Sequence, residues 1–144
     1  MTVTILNRTS RKIPRAFLLR WVKRAFKKLN VSSKTSLTLV FIAPREIRAL
    51  NRAFRRKDRP TDVLSFESVE KGSLGELALC PSIVARNARE HGLSFNEELG
   101  YMVLHGILHL LGHEHERGGP AAKKMFRLQD QLFEDLCRLE SGAK

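Results

Sequence analysis

The sequence predicts an α+β fold in which a small mixed β-sheet is covered by helices. Three observations carry this. Short β-rich runs are interleaved with longer segments whose apolar residues recur at helical spacing. Two strands follow one another in mid-chain, which excludes strict βαβ alternation. The longest apolar stretch, Leu99 to Leu111, falls in a helix between other helices, where a core needs its centre. With 144 residues and a hydrophobic fraction of 42%, a single domain over 1–144 is expected.

The elements follow in order. Thr2–Asn7 reads as a short strand. Pro14–Leu29 reads as a helix with proline at its start and an inward stripe of Phe17, Leu18, Trp21, Val22, Ala25, Phe26 and Leu29. Its outer face carries Arg20, Lys23, Arg24, Lys27 and Lys28. Ser36–Ile42 alternates β-branched and aromatic residues as a strand does. Pro44–Arg56 reads as a helix with Ile47, Leu50 and Phe54 inward, followed by a turn over Lys57–Thr61. Val63–Glu67 and Leu74–Cys80 are strands, and Pro81–His91 is a helix closed by Gly92. Ser94 and Glu97 have capping-box spacing and open the central helix, which Gly112 stops. The last helix runs from Pro120 to about Glu140 on a stripe of Met125, Leu128, Leu132, Leu136 and Leu139.

Charge divides the chain. Residues 1–60 hold 17 Lys+Arg against Glu46 and Asp58, or +15, and residues 61–144 hold 9 against 13, or −4, which sum to the overall +11. A cationic half of this size favours a polyanion, because each neutralised phosphate releases counterions. Nucleic acid is the first expectation and an anionic membrane surface a minor one. The apolar stretch is too short to span a bilayer, and the N-terminus lacks a signal peptide's apolar segment. Cys80 and Cys137 make no disulfide framework or thiolate knuckle, so a reducing, cytoplasmic setting is expected.

Four of the five histidines fall within residues 105–115. His105 and His109 are four apart, so a helix projects both from one face. The stop at Gly112 lets the chain turn back with a third imidazole: His115, with His113 as competitor. Three neutral imidazoles leave a tetrahedral zinc ion one open position, where water loses a proton near neutral pH. Gly106 follows His105 where a helical zinc peptidase has glutamate, so the peptidase reading loses most of its weight. The expected fold thus carries a one-zinc site at the end of its central helix.

The run His105-Gly106-Ile107-Leu108-His109-Leu110-Leu111-Gly112-His113-Glu114-His115 resembles the His-Gly-x-x-His-Leu-x-Gly-(Tyr/His)-Asp-His motif of the YbeY family of metal-dependent, single-strand-specific endoribonucleases of rRNA maturation. A second block resembles the family's other marked stretch: Leu50-Asn51, Phe54-Arg55, Asp58 and Pro60-Thr61-Asp62-Val63-Leu64-Ser65-Phe66. Leu74-Gly75-Glu76-Leu77 resembles its Gly-Asp-Ile segment. Glu76 and Glu114 stand where the family usually has aspartate, one methylene shorter.

The resemblance implies zinc on His105, His109 and His115, with His113 at the motif's tolerant Tyr/His position. It implies an arginine, Arg55, facing the metal, and an acidic role for Glu114. A guanidinium there can grip a phosphate bidentately and offset charge in the transition state. The implied activity is hydrolysis of a single-stranded rRNA phosphodiester, at the 3′ end of small-subunit rRNA, with the small ribosomal subunit and its proteins as partners. The basic helix with Lys23, Lys27 and Lys28 and the Arg45–Arg59 region are expected to hold the strand. With 7% aromatic residues, phosphate contacts should outweigh base stacking. Two other readings stand beside it: a ribosome-binding assembly factor with a mainly structural zinc site, and a zinc hydrolase of small or peptide substrates. Oligomeric state is not encoded legibly.

Overall fold

The computed structural model describes residues 2–113, 115 and 118–142. Its elements are β1 (Thr2–Asn7), α1 (Arg15–Lys28), β2 (Ser36–Phe41), α2 (Pro44–Arg55), β3 (Val63–Glu67), β4 (Ser73–Leu79), α3 (Pro81–His91), α4 (Phe95–Leu110) and α5 (Gly119–Glu140). The fold is α+β, as expected, and each predicted boundary lies within a residue of the observed one. The four strands form one mixed sheet in the order β1-β2-β4-β3. The first three run parallel, and β3 lies antiparallel on β4. The hairpin is what breaks the βαβ alternation.

Strand alternation sorts side chains onto two faces. Leu37, Leu39, Phe41, Leu77 and Leu79 join the main core with α1, α4 and α5. On the other face, Ile42, Leu64, Ala78 and Cys80 meet Ile47 of α2 and Ile83 of α3 in a smaller cluster. Helix α4 runs through the main core, with Leu99, Val103, Leu104, Ile107 and Leu108 fully buried. Two glycines let it seat closely. A Cβ at Gly100 would stand 2.7 Å from the Trp21 ring, and one at Gly106 would stand 2.5 Å from Leu77 Cδ2. Trp21 Nε1 donates to the Gly100 carbonyl at 2.9 Å, which locks α1 to α4.

The termini of α4 are built as their residues suggest. Ser94 and Glu97 exchange both capping-box hydrogen bonds. At the other end Gly112 is left-handed, with φ +97°. The Gly112 N–H donates to the His109 carbonyl and the His113 N–H to the Leu108 carbonyl, a Schellman closure that reverses the chain.

Two expectations about side chains fail. Phe54, expected inward, is 66% exposed. Ile47 and Leu50 already meet the sheet, and Phe54, in the last turn of α2, meets Phe66 in a T-shaped pair with centroids 5.3 Å apart. Leu139, expected on the α5 stripe, is also exposed, because the stripe runs out one turn after Leu136. Part of the basic face of α1 is neutralised by α5: Arg20 and Arg24 pair with Glu140, and Lys28 with Asp135 at 3.8 Å. Among the described residues no helix is long and apolar enough to cross a membrane, and both cysteines are free thiols.

Candidate metal centre

His105 and His109 project from adjacent turns of α4, and the closure at Gly112 returns the chain so that His115 faces them. The ring centroids of the three imidazoles form a nearly equilateral triangle with sides of 4.8, 4.7 and 4.7 Å. One ligand-capable nitrogen from each lies within 4.8 Å of the others. His113, the competitor, does not join this group. The expected third imidazole, His115, is the one that the turn brings to the pair.

The donor set fits a cation. His109 Nε2 is buried and has no hydrogen-bond partner, a state that costs about 1–3 kcal/mol unless something binds the nitrogen. Burial, then the neighbouring His105, His115 and Arg55, pushes His109 down to about 4. The imidazole is therefore neutral at physiological pH, which is the ligating form.

His105 is oriented from behind. Gln129 of α5 is fully buried, and its Nε2 donates to the Tyr101 carbonyl at 3.3 Å. A carbonyl only accepts, so the other end of the amide, Oε1, must face His105 Nδ1, 3.0 Å away. Nδ1 then carries the proton, and the Nε2 lone pair is left for a metal. Tyr101 in turn donates to Asp130 at 2.7 Å, and Phe126 lies against the His105 and His115 rings.

The imidazoles form one wall of a cleft of about 260 Å³. Arg55, Lys57, Arg59 and Asp62 line the same cleft. Arg56 ends α2 in a left-handed conformation, φ 58°, and the buried Asn51 donates from Nδ2 to the Arg59 carbonyl at 2.9 Å. That bond ties the cationic loop to the helix. Asp62 is the acidic side chain lining the cleft among the described residues. It accepts from Thr61 Oγ1 at 3.3 Å and from Asn87 Nδ2 at 3.2 Å. Lys23, Lys27 and Lys28 of α1 do not line this cleft. Glu114 lies outside the described residues.

Sequence reasoning assigned no role to Asn51, Asp62 or Gln129. Two of them had a signal. Asn51 sits four residues after Ile47, and Gln129 four after Met125, each a polar residue on an apolar stripe.

A model of the endoribonuclease YbeY family matches residues 4–137. The chain belongs to the YbeY family. It is 43% identical to endoribonuclease YbeY of Bdellovibrio bacteriovorus over 149 aligned positions, covering 99% of both chains. It is 36% identical to that of Aquifex aeolicus over 132 positions, covering 89% and 87%. The solution structure of TM1509 from Thermotoga maritima superposes with a TM-score of 0.68 at 33% identity, covering 98% of this chain and 93% of that one. Residues of the two long YbeY-like blocks in the sequence line one cleft. The third supplies Leu77, on which Gly106 rests. Its Glu76 points elsewhere, lining a second cleft on the far face of the sheet.

Proposed function

We propose that this protein is a metal-dependent endoribonuclease that cuts single-stranded rRNA during ribosome maturation, at the 3′ end of small-subunit rRNA, in the cytoplasm. The observation that carries the reading is that three convergent imidazoles share one cleft with Arg55, Lys57 and Arg59. His105, His109 and His115 would hold one Zn²⁺. When bound, the ion supplies Lewis acidity, which activates water near neutral pH and polarises a phosphoryl oxygen.

The chain's own residues do the rest. Gln129 keeps His105 in the Nδ1–H form. Arg55 offers a guanidinium to the phosphate, whose bidentate geometry suits a phosphorane-like transition state better than a lysine would. Lys57 and Arg59 hold the flanking phosphates. Two carboxylates compete to accept the water proton: Asp62, which lines the cleft, and Glu114, which the family resemblance favours. The small ribosomal subunit and its proteins are the proposed partners.

The test is cleavage of a single-stranded ribosomal RNA end by untagged protein of known metal content, with and without chelator, beside His109→Ala. Cleavage lost in both controls supports the reading. Cleavage that survives both overturns it. No cleavage by the loaded protein, with small-subunit binding intact, makes it an assembly factor with a structural ion. Activity indifferent to Arg55→Ala and to competing polyanions would instead indicate a hydrolase of small or peptide substrates. Asp62→Asn and Glu114→Gln, compared at saturating RNA, identify the proton acceptor.

A further inference from the structure

Phe54 is exposed without being loose. Its ring meets that of Phe66 in a T-shaped pair, 5.3 Å between centroids and 79° between planes, so one ring braces the other while most of Phe54 stays exposed. Beneath it, on the sheet face opposite the imidazoles, is a second cleft of about 260 Å³. Its floor is apolar, from Val40, Ile42, Leu50 and Ala78. Its rim carries Arg8, Glu46 and Glu76. Arg8 and Glu46 neutralise each other at 3.0 Å, whereas Glu76 makes no ion pair among the described residues. Phe54 and Arg55 are consecutive, yet they line different clefts. The last turn of α2 therefore joins the two.

We infer that this second cleft is a nucleobase subsite: a base of the RNA strand stacks on Phe54 and turns its hydrogen-bond donors to Glu76. The inference rests on the endoribonuclease reading and names how the strand is gripped beyond the cut. Single-stranded RNA is held by stacking unpaired bases on aromatic rings and reading their edges. The surrounding charge suits a backbone. The two acidic groups of the α2 region, Glu46 and Asp58, are occupied by Arg8 and Arg48, which leaves the surplus of Arg52, Arg56, Lys57 and Arg59 to meet phosphates. An unpaired carboxylate repels phosphates but accepts from N–H groups. Guanine, with N1–H and N2–H₂ side by side, matches it best, and uracil, with one imino donor, matches it worst.

The experiment uses the full, metal-loaded protein and short single-stranded oligoribonucleotides that carry a non-cleavable linkage, read by fluorescence anisotropy. Thermal unfolding checks that each variant folds, which a ring so exposed should allow. Phe54→Ala should weaken binding about 5- to 150-fold, the range for losing one stacked base, and Phe54→Trp should restore it. Replacing nucleotides one at a time by abasic residues should find one position, off the scissile linkage, whose loss costs wild type as much. The same replacement should cost Phe54→Ala nothing further. Guanine should be preferred over uracil at that position, and Glu76→Gln should reduce the preference. If wild type binds RNA and both variants stay within twofold for every base, the subsite is wrong and the endoribonuclease reading survives; the face then belongs to a protein partner. If wild type binds no single-stranded RNA, both fall together.

Discussion

Replacing Gln129 with leucine tests how the metal centre is held. The side chain is fully buried, and leucine has nearly its volume, so the change removes hydrogen bonds without opening a cavity. It leaves His105 Nδ1–H, now 3.0 Å from an amide oxygen, facing hydrocarbon. An orphaned buried donor costs about 1–3 kcal/mol. The ring can escape part of that cost by moving its proton to Nε2 or by rotating, and either withdraws the nitrogen a metal needs. At about 1.4 kcal/mol per tenfold, the penalty is a loss of some 5- to 150-fold in metal affinity, in line with the roughly 10–100-fold typical when a ligand's hydrogen-bond partner is lost. Zinc competition against a chromophoric chelator measures it, with Gln129→Glu, which keeps an acceptor, as the conservative comparison. Long-range ¹H–¹⁵N spectra of the metal-free protein read the tautomer directly. Wild-type His105 protonated on Nε2, or Gln129→Leu binding zinc as tightly as wild type, would refute the reasoning.

Three further outcomes follow from the same geometry. Gly106→Ala gains about 1 kcal/mol of helix propensity but drives a Cβ to 2.5 Å from Cδ2 of the fully buried Leu77, and overpacking costs about 1–3 kcal/mol; denaturant unfolding should show net destabilisation of up to about 2 kcal/mol, partly relieved by Leu77→Val. His109, held down at about 4 against an ordinary 6.5, binds fewer protons folded than unfolded, so metal-free protein should keep full stability above pH 6.5 and lose it as pH falls towards 4; His109→Gln should flatten that part of the pH–Tm curve, and an unchanged slope refutes it. RNA affinity should fall steeply and linearly on a log–log plot against salt, and Arg55→Ala should lower kcat beyond what its lost phosphate contact takes from that slope, with Arg55→Lys failing to restore it; a flat salt plot contradicts the electrostatic grip.

The elements were legible because each carried a local cause. Pro14, Pro44 and Pro81 open helices, the Ser94–Glu97 box caps α4, and glycine at 92 and 112 supplies the left-handed residues that end α3 and α4. Those effects act over a few residues, so they can be read from a few residues. Phe54 shows where that reading stops. Its helical spacing matched Ile47 and Leu50, but spacing says which side a residue lies on and not how far the covering sheet extends beneath it. The cations of α1 make the same point: Glu140 neutralises Arg20 and Arg24 across more than a hundred residues, a pairing no local pattern announces.

By itself, then, the amino-acid order determined the strands and helices, the α+β class, the family and the pair of imidazoles one turn apart on α4, since all of these depend on near neighbours or on motif identity. Only the tertiary structure decided that Gln129 faces His105 from α5 and that Arg55, Lys57, Arg59 and Asp62 line one cleft with the histidines. Those are relations between segments distant in sequence. They are set by how α4 and α5 pack and by where β3 brings the loop, and contact across a core leaves its mark on neither partner alone.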